Sequence, residues 1–124
     1  MPSIYKMTKL TVRSHDVLQA AINVSHPKTE DDYYHAAECR TALKDLVSDR
    51  KIIREGDSVG VEVVLKAEEN DLTLSESAFR FLERVFKEAR EGGQVFRGAH
   101  AENVVEAIKI VKAASGGTNG ACVL

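Results

Sequence analysis

The chain has 124 residues, 44% hydrophobic and 29% charged, with no tryptophan and a formal charge of −2. That balance fits one folded domain with an aliphatic core and leaves little room for a second. A pI near 6.1 argues against double-stranded nucleic acid as partner, and no stretch approaches the roughly 20 apolar residues of a membrane span.

In chain order, "IYKMTKLTV" (Ile4–Val12) alternates loosely, with Leu10 and Val12 on one side and Lys9 and Thr11 on the other, and reads as a strand. "SHDVLQAAINVS" fits two patterns. As a strand it aligns Leu18, Ala20, Ile22 and Val24 after a turn at Ser14–Asp16; as a helix capped by Ser14 it stacks Val17, Leu18, Ala21 and Ile22. The alternation favours the strand. Thr29, followed by three acids, is an N-cap with charges suited to a positive helix end, so a helix is expected from about Glu30 to Ser48. Its apolar side carries Ala36, Cys39, Leu43, Leu46 and Val47, and its basic residues gather late at Arg40, Lys44, Arg50 and Lys51.

"REGDS" is a turn, and "VGVEVVLKA" after it alternates well, with Val59, Val61, Val63 and Leu65 on one face. Ser75 opens the clearest helix: Leu74 and Phe79 staple its start, Ala78, Phe79, Leu82, Val85, Phe86 and Ala89 form its stripe, and the glycines after Glu91 stop it. A last helix is expected from about Ala99 to Ala114, its apolar residues covering more than half the circumference. The expected fold is α+β: a small antiparallel or mixed sheet of two to three strands packed by three helices, the last two an antiparallel pair. Residues 1–114 form the domain and 115–124 a flexible tail.

Cys39 and Cys122 fall in a helical pattern and in the tail, so a disulfide is not expected and a reducing, cytoplasmic setting is. The first residues lack the apolar core of a secretion signal. Cys122 stands third from the end, where prenylation needs the fourth.

The search for chemistry yields little. His100-Ala101-Glu102 has the His-x-Glu spacing of zinc deaminases, but the Pro-Cys-x-x-Cys element that completes such a site is missing. The remaining histidines, paired acids and serines show no metal or nucleophile spacing. No enzyme, cofactor or metal is therefore expected. One weak anion site stands at the start of the last helix, where free amides attract negative charge: Arg97, Gly98, His100 and Asn103, with Arg54 or Arg50 as further charges. Tyr33 and Tyr34 cannot both face a core from adjacent helix positions, Phe81 lies outside a stripe already complete, and Ile110 belongs to the over-wide last helix. These four are expected at an interface.

The expected function is a non-enzymatic regulatory, adaptor or inhibitor-type protein acting through protein–protein contacts as a homo-oligomer, a symmetric dimer or larger ring. The alternative is a binder of a nucleotide-like or other small anion near Arg97–His100, at a subunit boundary.

Overall fold

The computed structural model describes residues 4–93, 96 and 100–116. Strand β1 (Ile4–Leu10) is the centre of a three-stranded antiparallel sheet, between β4 (Asn70–Ser75) and the short β5 (Ser115–Gly116). Strict alternation would send Met7 and Leu10 to opposite faces. The register slips between them, and Lys9 takes a left-handed φ of 60°, so both side chains are fully buried. On β4 the same alternation buries Asn70, Leu72 and Leu74, and the Asn70 amide donates to the carbonyls of Leu10 and Ala67.

Helix α1 (Val12–Asn23) occupies the segment read as a second strand. Thr11 caps it, accepting from the Ser14 amide at 3.4 Å. The strand reading fails because Val17 and Ala21 are as buried as Leu18 and Ile22, while Val24 is exposed. Four apolar residues at 17, 18, 21 and 22 make a helical stripe; their even-numbered members alternate only by coincidence.

Helix α2 (Glu30–Asp45) begins where expected, with the Thr29 hydroxyl accepting from the Asp32 amide at 3.2 Å. It stops three residues earlier than the sequence pattern indicated, because Val47 already pairs with Leu65. That pair opens an antiparallel hairpin of β2 (Val47–Glu55) and β3 (Ser58–Leu65). Its turn is Gly56-Asp57, and Gly56 at φ 60° supplies the conformation a two-residue loop needs.

Helix α3 (Glu76–Gly92) follows β4 directly. Ser75 caps it and Gly93, at φ 70°, ends it. All six residues of its expected stripe are buried. Helix α4 (Ala101–Lys112) packs on α1 and β1, whereas α3 packs on α1, α2, β1 and β4. The fold is α+β, as expected, but the described residues form four helices, and the last two do not pack as the expected antiparallel pair. The core is one continuous cluster in which the Tyr5 and Phe79 rings stack at 4.5 Å.

Two expected interface residues are corrected here. Phe81 is 3% exposed, lying near His35 of α2 at 6.2 Å between ring centroids and under the Arg84 guanidinium. Ile110 is 8% exposed within the same core cluster. Helix α4 is lodged against both α1 and β1, so its wide apolar arc is largely covered by this chain alone. Of the expected tail, Ser115 and Gly116 pair with β1, and 117–124 lie outside the described residues.

Candidate functional site: the hairpin face and the cleft at its base

Of the expected anion site, Arg97 and Gly98 lie outside the described residues. His100 is an exposed N-cap whose side chain makes no capping bond, and its carbonyl accepts from the Asn103 amide at 3.0 Å. Arg54 stands on β2, and no hydrogen bond or ion pair among the described residues joins it to His100 or Asn103. Tyr33 and Tyr34 are 64% and 66% exposed on the first turn of α2, the Tyr34 hydroxyl donating to Glu30 at 3.4 Å.

The hairpin is built differently from the rest of the molecule. Its cross-strand partners are Arg50–Val63, Lys51–Glu62, Ile52–Val61, Ile53–Gly60 and Arg54–Val59. Partners share a face and successive residues alternate. One face therefore carries Arg50, Ile52, Arg54, Val59, Val61 and Val63, with no acid among them. The other carries Lys51 opposite Glu62, together with Ile53, Glu55 and Ser58. Ile52, Val59 and Val61 on the first face are 68%, 67% and 63% exposed, and only Leu65, at the base, is buried. The sequence pattern is right that Val59, Val61, Val63 and Leu65 share a face. It cannot show that this face meets the core at one end only.

Among the cavities bordered by the described residues, three lie against the body. One of about 830 Å³ lies between the hairpin base, the start of α1 and Glu106 of α4, where the Thr11 hydroxyl donates to Glu106 at 3.2 Å and ties the two helices. Another, of about 680 Å³, opens between Val24–Lys28 and the end of α3. The third, about 370 Å³, is formed by α1, α2 and the hairpin base, and is rimmed by Arg40, Lys44 and Arg50. His15 lines it and is 3% exposed. Its Nε2 lies 2.8 Å from the Leu43 carbonyl, which can only accept, so that nitrogen carries the proton. Its Nδ1 has no hydrogen-bond partner, and Asp16 Oδ1 stands 3.8 Å away.

Sequence reasoning missed this cleft for identifiable reasons. His15 sat in the segment read as a strand. Arg40 and Lys44, four apart and so on one helix face, looked like complements to the helix dipole. Only Arg50 had been set aside as a further charge for a ligand.

Elsewhere the ionisable groups serve the fold. Asp32 is held below the usual carboxylate range, first by the Lys28 backbone amide at 3.2 Å and then by Arg84 at 3.0 Å. Burial pushes the Cys39 thiol up to about 12. Among the described residues no three His, Cys, Asp or Glu side chains gather as metal ligands, and no helix is long and apolar enough to cross a membrane. Comparison with known families, curated proteins and solved structures finds no match.

Proposed function

We propose that this protein is a non-enzymatic adaptor or regulator that grips a partner protein with the apolar, arginine-bearing face of its β2–β3 hairpin. One observation carries the reading: Ile52, Val59 and Val61 lie together, each more than three-fifths exposed, on a ribbon that contributes one buried side chain to the core. A two-stranded hairpin is marginal in water by itself, and clustered exposed apolar residues mark contact sites. Arg50 and Arg54 flank the cluster without an acid on the same face, so charge complementarity selects a partner segment that is apolar and acidic. Face-to-face stacking of two copies would set these arginines against their own kind, which favours a different protein over a homo-oligomer. The buried, unreactive Cys39 fits a reducing, cytoplasmic setting.

Fluorescence anisotropy with a peptide alternating Glu and Leu, against one alternating Lys and Leu, tests the reading. The acidic peptide binds the wild-type chain preferentially, and Ile52→Ser with Val61→Ser abolishes that binding. Equal affinity for both peptides, or binding unchanged by the substitutions, refutes it. Light scattering that shows a dimer dissolved by the same substitutions would make a second copy the occupant instead.

A further inference from the structure

We infer that the cleft rimmed by Arg40, Lys44 and Arg50 is a binding site for a phosphate group. Three observations converge on it. Three cations from two separate elements surround one cavity in a chain of net negative charge. Lys44 and Arg50 make no ion pair among the described residues, and Arg40 spends one guanidinium nitrogen on the Ile22 carbonyl at 3.3 Å, so their charges are largely uncompensated. Asp16 is the one carboxylate on the wall, leaving a surplus of two positive charges. That surplus matches a phosphate monoester, which carries about −1.5 to −2 at neutral pH, better than a single carboxylate. Guanidinium groups also meet phosphate oxygens with paired, charge-assisted hydrogen bonds.

His15 borders the same cavity. Its Nε2 proton is committed to the Leu43 carbonyl and its Nδ1 is sealed from solvent, so the ring lies beside the cleft without supplying a donor to the anion. At about 370 Å³ the cavity sits near the small end of ligand sites, enough for a phosphate and a short group attached to it.

The source of the phosphate is either free inorganic phosphate or a phosphorylated residue on a protein. Arg50 belongs both to the cleft and to the hairpin face, so a phosphorylated side chain on a segment docked along the hairpin would lie beside the cleft. Only that second source rests on the function proposed above.

The test is an NMR titration of the intact chain with inorganic phosphate, with chloride matching the ionic strength. Saturable shifts at the His15 ring and at Lys44 are expected. Lys44→Gln and Arg50→Gln should each weaken the affinity about tenfold or more. Both side chains are exposed, so an unchanged melting temperature verifies that the fold survives. Arg54→Gln, on the same hairpin face but outside the cleft, should leave the affinity unaltered. Linear, unsaturated shifts, or affinity untouched by Lys44→Gln and Arg50→Gln, overturn the site. A parallel titration with a phosphoserine peptide bearing apolar residues separates the sources: tighter binding than inorganic phosphate, lost partly on Ile52→Ser, assigns a phosphorylated protein, and equal binding assigns the free anion. Because Ile52→Ser should not alter the inorganic phosphate titration, failure of the hairpin reading and failure of the cleft are distinguishable.

Discussion

The helix-clad sheet and the hairpin handle the same kinds of residue in opposite ways. In the body, Tyr5, Met7, Leu18, Phe79, Phe86 and Val111 are sealed within one cluster. On the hairpin, Ile52, Val59 and Val61 stand in solvent although their β-branched side chains suit a packed sheet. Sequence hydrophobicity is similar in both places, and what differs is how many elements lie against each face. A strand read as core by alternation belongs to the core only where another layer covers it.

The contrast can be broken most severely in the body. Phe86→Ala should lower unfolding free energy by about 3–5 kcal/mol, measured by denaturant titration, because a fully enclosed ring leaves a cavity. Lys9→Gly should work in the other direction, raising stability by about 1 kcal/mol, since a left-handed φ is costly for a residue with a Cβ. A null result there would mean that the bulge is not under backbone strain. Acid should unlock the body through Asp32. Its folded-state pKa is lowered, so its contribution is present above about pH 4 and is lost as pH falls through the folded value. Thermal melts below pH 4 should show that loss, and Asp32→Asn should flatten it. Smallest of all, Ile52→Ser with Val61→Ser should leave monomer stability within about 0.5 kcal/mol each, for both sites are already in water. A loss of several kcal/mol would show that the hairpin is part of the core after all.

Local signals were legible where local chemistry decides. Thr29 and Ser75 announced their caps, Glu91-Gly92-Gly93 its stop, and the α3 stripe its buried side. What failed depended on neighbours distant in the chain. Nothing near Asn70–Ser75 reveals that β1 will pair with it, so a strand was missed. Phe81 and Ile110 looked superfluous because a single helix does not disclose how many surfaces press on it. The same blindness hid the cleft. Its cations come from α2 and β2 and its histidine from α1, so the grouping exists only after the hairpin folds back beside both helices.

The position of β1 has a consequence for how the molecule reaches this state. Its two neighbours, β4 and β5, join it through Tyr5–Leu74 and Tyr5–Gly116, pairings between remote parts of the chain. Closing such large loops costs entropy before any contact repays it, whereas the ribbon from Val47 to Leu65 closes through a two-residue turn. On the ribosome, the two strands of the ribbon can therefore begin to sample their register while the central sheet still waits for β5 to emerge, and the hairpin is held only once the body it leans on has closed.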